Sequence, residues 1–206
     1  MLILASSSPR RRALIRTLEL PFVVVPSGVH EREPFPGEDP AAYALVLAGE
    51  KAADVALHHP RDVVIAADTV VAVGGHILGK PLDAEDALRM LQLLRGREHA
   101  VTTAVVVRVG EATRTGAVTS RVRMRSFSLD EAKAYVATGE PMDKAGGYAV
   151  QERGGALVEN VEGCYNAVVG FPLCLVVRLL QEVGVQVALP LGSECREGRV
   201  DTAPAT

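Results

Sequence analysis

Apolar runs of strand length alternate along this chain with longer segments of helical periodicity, and turn residues interrupt the alternation. Residues 63–67 form a continuous apolar run that predicts a buried strand, and residues 84–94 repeat apolar side chains at helical spacing before Gly96. Gly74-Gly75 separates two short apolar runs and predicts a hairpin. Alternating strands and helices favour parallel pairing, whereas hairpins add antiparallel pairs. The pattern therefore predicts an α/β fold with a mixed sheet.

The same patterns locate the remaining elements and the domain boundary. Further strands are expected at residues 2–5, 22–25, 70–73, 76–78, 99–109, 117–124 and 154–161. Further helices are expected from Pro9 and at residues 41–57, 128–138 and 172–183. With 206 residues, the chain is long enough for one domain or for two lobes around a cleft. We expect a domain over residues 1–191 and a polar, disordered tail over residues 192–206.

Charge and hydropathy exclude several classes of partner. The 22 Lys and Arg residues are outnumbered by 25 Asp and Glu, which argues against a broad basic face for a nucleic acid polymer. No apolar run approaches the roughly 20 residues of a membrane-spanning helix, so no membrane contact is expected. At the N-terminus, apolar residues precede charged ones, the reverse of a secretion signal, and we expect a cytoplasmic protein.

The strongest local motif is Ser6-Ser7-Ser8-Pro9-Arg10-Arg11-Arg12, between a predicted strand and a predicted helix. A helix N-terminus offers unpaired N–H groups and a positive dipole end, and serine hydroxyls and guanidinium groups add donors suited to phosphate. Successive helical residues point about 100° apart, so the three arginines cannot all face one ligand. Arg10 and Arg11, nearest the turn, are the candidates. The alternative is a capped surface helix with solvated arginines.

A second candidate is Asp68, which follows the apolar run at residues 63–67. An acid at the carboxyl end of a strand lies where α/β proteins bind ligands, so it can act as a general base on water or help hold a cation. It can instead simply cap the following turn.

Several other polar residues have two interpretations each. The run Gly74 to Lys80 matches the start of a phosphate-binding loop, but Pro81 replaces the required Ser or Thr, which leaves Lys80 as a single cation on a turn. Glu31 is either a cation ligand or a solvated loop acid, and Lys51 would ordinarily lie on the polar face of its helix. Gln151 follows a glycine-rich segment and either reads a base edge or satisfies backbone groups.

Taken together, these segments resemble the Maf family of nucleoside triphosphate pyrophosphatases. The similarity covers about residues 2–180, in the order of the family. The matching motifs are Leu4-Ala5-Ser6-Ser7-Ser8-Pro9-Arg10-Arg11, Glu50-Lys51-Ala52, Ala67-Asp68-Thr69-Val70-Val71, Gly79-Lys80-Pro81, Gly139-Glu140-Pro141-Met142-Asp143-Lys144-Ala145-Gly146-Gly147-Tyr148 and Val168-Val169-Gly170-Phe171-Pro172-Leu173.

The resemblance implies hydrolysis of a nucleoside triphosphate between its α and β phosphates, giving a nucleoside monophosphate and pyrophosphate. It implies that Asp68 is the proton acceptor and that Glu31 helps to place a divalent cation, magnesium or manganese. The residues implied to surround the triphosphate are Ser8, Arg10, Arg11, Lys51 and Lys80. It also implies an elongated mixed sheet flanked by helices, with two lobes around a central cleft as in the Maf and ITPase-like folds, and a homodimer.

Three positions indicate the base. The family branch that acts on dTTP and UTP resembles this chain in having Arg, Thr and Gln at Arg10, Thr69 and Gln151, whereas the branch that acts on 7-methyl-GTP has Trp, Gln and Glu. A Gln amide offers both a donor and an acceptor to a uracil or thymine edge. The resemblance therefore favours dTTP and UTP. The alternatives are another base preference, such as 7-methyl-GTP, and a nucleotide-binding regulator of septum formation.

Overall fold

The structure is a computed structural model that describes residues 1–190 and the two-residue strand Asp201–Thr202. Apart from that strand, the predicted tail at residues 192–206 lies outside the described residues. Among the residues that are described, no helix is both long and apolar enough to cross a membrane.

The described chain folds into an eight-stranded sheet with helices on both faces. The strands are β1 (Leu2–Leu4), β2 (Phe22–Val24), β3 (Val63–Val73), β4 (His76–Leu78), β5 (Glu98–Val109), β6 (Ala112–Met124), β7 (Val158–Glu162) and β8 (Asp201–Thr202). The helices are α1 (Pro9–Arg16), α2 (Pro40–His58), α3 (Ala84–Leu94), α4 (Leu129–Val136), α5 (Tyr165–Val169) and α6 (Leu173–Glu182). Three 3-10 turns, Glu140–Asp143, Ala145–Gly147 and Arg153–Leu157, lie between α4 and β7.

Parallel and antiparallel pairs share this one sheet, which confirms the predicted mixed α/β class. The spatial order is β2-β1-β3-β5-β6-β7, with β4 beside β3 and β8 beside β6. Strand β1 is parallel to both β2 and β3, whereas β3, β5, β6 and β7 pair antiparallel in sequence.

Three apolar clusters divide the molecule into two lobes that share the long central strands. In the first lobe, α1 and α6 pack on one face of the sheet around Ile15 and Phe171, and α2 packs on the other around Leu47. In the second lobe, α3 and α4 pack on the far ends of β3, β5 and β6, around Leu91 and Met124. Strands β3, β5 and β6 supply residues to both lobes, which leaves a cleft beside the middle of β3.

Local capping signals explain where several helices begin. Ser8 is the N-cap of α1 with Pro9 as its first residue, as predicted. Ser128 and Glu131 form the predicted capping box of α4, and α3 has the predicted bounds.

Two element predictions were wrong. Residues 63–67 and 70–73 form one strand, β3, because β5 pairs with it continuously through the intervening residues. The strand predicted at residues 154–161 begins only at Val158, because the chain first forms the 3-10 turn Arg153–Leu157. In addition, the short helix α5 was not predicted.

Candidate active site

A cavity of about 910 Å³ opens between the two lobes. Every residue that the sequence analysis assigned to the site contributes to its wall. These residues are Ser8, Arg10, Arg11, Glu31, Lys51, Asp68, Thr69, Lys80 and Gln151. The fold thus brings together side chains from six separate stretches of sequence.

Strand β1 is short and stops before it reaches Asp68, which leaves room for the cavity there. The last paired residue of β1, Leu4, lies opposite Ile65, and the backbone N–H of Ala5 donates to the Ile65 carbonyl at 2.7 Å. The chain then leaves the sheet. Asp68 therefore lies in the middle of β3, paired with Ala104 of β5 and beyond the end of β1, rather than at the end of its own strand as predicted.

Lys51 joins the two acids of the site. Its ammonium group donates to Glu31 Oε1 at 2.7 Å and to Asp68 Oδ1. Lys51 and Asp68 are only 8% and 6% exposed, whereas the Glu31 side chain is 37% exposed. Lys51 therefore lies on the buried face of α2, although a lysine ordinarily lies on the solvent-exposed face of a helix.

The surroundings move the pKa values of the two acids in opposite directions. Burial raises the pKa of Asp68, against the opposing effects of the Lys51 and Arg11 charges. Burial also acts to raise the pKa of Glu31, but the hydrogen bond and charge of Lys51, with the charges of Lys80 and Arg11, lower it overall. Asp68 is thus the stronger proton acceptor of the two.

The Arg11 guanidinium is held deep in the site by three hydrogen bonds. Its Nε donates to the Gly170 carbonyl at 2.9 Å, its Nη2 to Thr69 Oγ1 at 3.1 Å and its Nη1 to Ser6 Oγ at 3.4 Å. Gly170 has φ +110°, and a Cβ there would lie 3.1 Å from Thr69 Oγ1, so glycine suits this close approach. Burial lowers the pKa of Arg11, yet an arginine stays charged. It places a fixed positive charge near Asp68.

Arg10 points to a different part of the cavity. Its Nη1 lies 3.9 Å from Asp143 Oδ2 and 3.7 Å from Glu152 Oε1, on the segment that carries Gln151. The prediction that neighbouring arginines of this helix point in different directions is confirmed. The Lys80 side chain is 56% exposed, and its ammonium group lies 3.6 Å from Glu31 Oε2.

The sequence analysis missed two residues of this region. Lys144 lines the cavity and is 7% exposed, and its ammonium group contacts Asp143 and the Glu140 carbonyl. His99 is buried with its Nε2 2.6 Å from the hydroxyl of Tyr148, and burial lowers the pKa of His99 to about 4, so the ring is neutral at pH 7. Lys144 lies in a segment noted for its glycines, but no local pattern distinguishes a buried lysine from a solvated one.

Comparison with known proteins gives a consistent result. A family model described as Maf-like protein matches residues 1–183. A dTTP/UTP pyrophosphatase from Thermomicrobium roseum is 48% identical over 92% of this chain and 87% of its own. A dTTP/UTP pyrophosphatase from Thermococcus onnurineus is also 48% identical, over 91% of this chain and 100% of its own.

A solved structure is more distantly similar. It is a nucleoside-triphosphatase, dITP/XTP pyrophosphatase, from Mycobacterium abscessus, with a TM-score of 0.39 and 19% identity. The similarity covers 61% of this chain and 75% of that one. A likeness this weak supports no argument about the site.

Proposed function

Because the chain belongs to the family of Maf-like proteins, we propose that it hydrolyses dTTP and UTP to the nucleoside monophosphate and pyrophosphate. The observation that carries the proposal is the buried Asp68, in contact with Lys51 and on the wall of a cavity lined with further cations. A site that only binds a triphosphate needs the cations but has no need of a buried acid with a raised pKa.

In this proposal Asp68 is the general base. A water molecule beside Asp68 attacks one phosphorus of the α–β phosphoanhydride and passes a proton to the carboxylate. The bond from that phosphorus to the bridging oxygen breaks, and pyrophosphate separates from the nucleoside monophosphate. Lys51 orients the carboxylate and keeps it ionised before the proton moves. The raised pKa of Asp68 makes the transfer more favourable than for an ordinary solvated aspartate.

The cations of the wall bind the triphosphate. Arg11 is fixed by its hydrogen bonds, whereas Lys80 is more than half exposed and held only by its ion pair with Glu31. Ser8, the N-cap of α1, adds its hydroxyl to the helix start. A net-negative protein can thus bind a strongly anionic substrate through a locally positive cavity.

A divalent cation, magnesium or manganese, fits this site through Glu31 and the substrate phosphates. Glu31 and Asp68 reach the Lys51 ammonium group from two sides, and the described residues contain no group of three His, Cys, Asp or Glu suited to a metal. Magnesium is commonly held by one or two carboxylates together with phosphates, so the arrangement suits it. When bound, such a cation would neutralise phosphate charge.

Base choice belongs to Gln151, Arg10 and Thr69 in this proposal. Gln151 is exposed on the cavity wall, where its amide is accessible to a base edge. Thr69 Oγ1 is bonded to Arg11 and lies 2.8 Å from Thr103 Oγ1, so we assign it to positioning Arg11 more than to direct contact with the base.

The test is a panel of nucleoside triphosphates with magnesium or manganese, in which pyrophosphate and orthophosphate are measured separately. Pyrophosphate from dTTP and UTP is expected. Asp68→Asn should bind nucleotide but turn over roughly 10²- to 10⁴-fold more slowly, because it keeps the size of the side chain and removes the base. Full turnover in this variant would refute the role of Asp68.

Asp62→Asn is the matched control. Asp62 lies just before the same strand and pairs with the N-terminal ammonium group at 2.9 Å, away from the cavity. Its turnover should stay within about twofold of the wild type. Pyrophosphate release from nucleoside triphosphates with other bases would contradict the assigned preference for dTTP and UTP. Nucleotide binding without pyrophosphate release would favour a nucleotide-binding regulator over an enzyme.

Two further expectations stay predictions. Light scattering after size-exclusion chromatography tests the homodimer implied by the family resemblance. Fractionation of cells tests the expected cytoplasmic location.

A further inference from the structure

Gln151 lies on an exposed turn between two 3-10 turns, Ala145–Gly147 and Arg153–Leu157. No helix or strand of the described chain includes it, so regular backbone hydrogen bonds do not orient its amide. A hydrogen bond to a base requires a donor–acceptor distance within a few tenths of an ångström. The turn therefore needs support from outside itself.

That support is a side-chain clamp, which we define as Tyr135 of α4 and Glu140 of the following 3-10 turn. The Tyr135 hydroxyl donates to Glu140 Oε1 at 2.9 Å and accepts from the backbone N–H of Ala149 at 3.3 Å. The same carboxylate accepts from the backbone N–H groups of Arg153 at 3.2 Å and Gly154 at 3.0 Å. The clamp thus grips the chain two residues before Gln151 and two residues after it.

Gly154 shows how tightly the two flanks of the turn meet. A Cβ on this residue would lie 2.5 Å from the Tyr135 hydroxyl and 2.8 Å from the Ala149 carbonyl oxygen. Real side chains do not tolerate such distances, so the clamp closes only because residue 154 is glycine.

The Tyr135 half of the clamp is itself buried. Tyr135 is 6% exposed and belongs to the apolar cluster of the second lobe. Burial, with the hydrogen bond to Glu140, raises the pKa of Tyr135, so its hydroxyl keeps its proton at physiological pH and remains a donor. The described cavity wall includes Ala149 and Gln151 but neither member of the clamp, which therefore acts from behind the wall.

We propose that Tyr135 and Glu140 are positioning residues for base selection, which hold the turn so that the Gln151 amide faces the nucleobase. The proposal rests on the proposed function, since it assigns base reading to Gln151. It separates two tasks: the clamp sets which base is accepted, whereas the centre around Asp68 cleaves the triphosphate.

The test measures kcat and KM for UTP and CTP, whose bases differ in the donor and acceptor pattern of one edge. In Glu140→Gln one carboxylate oxygen becomes an NH2 group, which cannot accept, so the hydrogen bond from either Arg153 N–H or Gly154 N–H is lost while the remaining oxygen keeps the other. The preference for UTP over CTP, as a ratio of kcat/KM values, should fall roughly tenfold, mainly through KM for UTP. The kcat for UTP should stay within about threefold.

Tyr135→Phe tests the same clamp without changing charge, and it should also lower the UTP preference.

Glu131→Gln is the matched control. Glu131 lies on the same helix and also accepts from a backbone N–H, that of Ser128 at 2.7 Å, but it does not contact the turn. The Glu131→Gln variant should be less stable than the wild type but keep the preference for UTP. In a Gln151→Ala background, Glu140→Gln should lower the preference no further, because the clamp acts through Gln151.

The outcomes separate the two proposals. A wild-type protein that releases no pyrophosphate from UTP would overturn the proposed function and this inference with it. A wild type that prefers UTP, with an unchanged preference in both Glu140→Gln and Tyr135→Phe, would overturn the inference alone. Equal losses of kcat on UTP and CTP in both variants would also overturn it, since that pattern reports a general structural role.

Discussion

The charged centre around Lys51 and Asp68 and the turn that carries Gln151 line the same cavity but are built in different ways. At the centre, Lys51 on α2 and Asp68 on β3 are buried and bond to each other. At the turn, Gln151 is exposed and lies outside helices and strands, and the backbone N–H groups of its flanks donate to the side chains of Tyr135 and Glu140. One region is positioned by secondary structure and the other by two side chains.

This difference follows from what each region has to do. Burial strengthens the interactions between charged groups, because electrostatic interactions are stronger where water is excluded. Helices and strands also leave buried side chains little freedom to move. A residue that reads a base must instead keep its polar atoms open to the ligand. The turn is therefore exposed, and the hydrogen bonds from its backbone to Tyr135 and Glu140 limit the conformations that it can adopt.

The largest effect should come from Lys51→Met, which tests how far the centre depends on a buried charge pair. Removal of one partner of a buried pair leaves the other charge uncompensated, so we expect the free energy of unfolding at pH 7 to fall by about 3 kcal/mol. Without Lys51, the pKa of Asp68 rises further above its unfolded value. The deficit should therefore shrink as the pH falls through that raised pKa and Asp68 becomes neutral.

Chemical denaturation at pH 7 and pH 5, followed by circular dichroism, measures this change. Lys133→Met is the control, because Lys133 is exposed on α4 and its loss should change the free energy of unfolding by less than about 0.5 kcal/mol at either pH. A deficit in Lys51→Met that stays constant with pH would show that packing, not charge, holds the centre.

A smaller effect is expected from Gln151→Glu, which tests the turn. A carboxylate accepts hydrogen bonds but cannot donate one, so the variant loses one contact to the uracil or thymine edge. We expect kcat/KM for UTP and dTTP to fall about tenfold, while the free energy of unfolding changes by less than about 0.5 kcal/mol because the residue is exposed. Equal losses on every nucleotide would mean that Gln151 is structural.

The smallest effect should come from paired changes at two helix N-caps. Ser8 caps α1 at the cavity and Ser128 caps α4 away from it, so Ser8→Ala and Ser128→Ala should each lower the free energy of unfolding by about 1 kcal/mol. Only Ser8→Ala should also lower kcat/KM, since Ser8 lines the cavity and Ser128 does not. Thermal unfolding and pyrophosphate release measured on both variants check this, and equal activity losses would contradict it.

Most of the site was predictable from the sequence, but its geometry was not. The resemblance to a family identified the residues, and all of them line one cavity. The position of Asp68 was mispredicted, because a polar residue after an apolar run resembles a strand end, whereas pairing with β5 carries the strand through it. The clamp was not found, although Glu140 lies within a family motif, because no sequence pattern shows that its carboxylate meets Tyr135 and the backbone of residues 13 and 14 positions later.

The sequence by itself determined the order of the elements, the mixed α/β class and the starts of helices such as α4, because periodicity and capping depend on residues a few positions apart. Only the tertiary structure decided that β1 ends beside Ile65, that Asp68 and Lys51 are buried at the cavity wall, and that Glu140 accepts from the backbone beside Gln151. The hydrogen bonds from Lys51 to Asp68 and from Arg11 to Gly170 join residues 17 and 159 positions apart, and contacts at such separations exist only once the sheet has assembled.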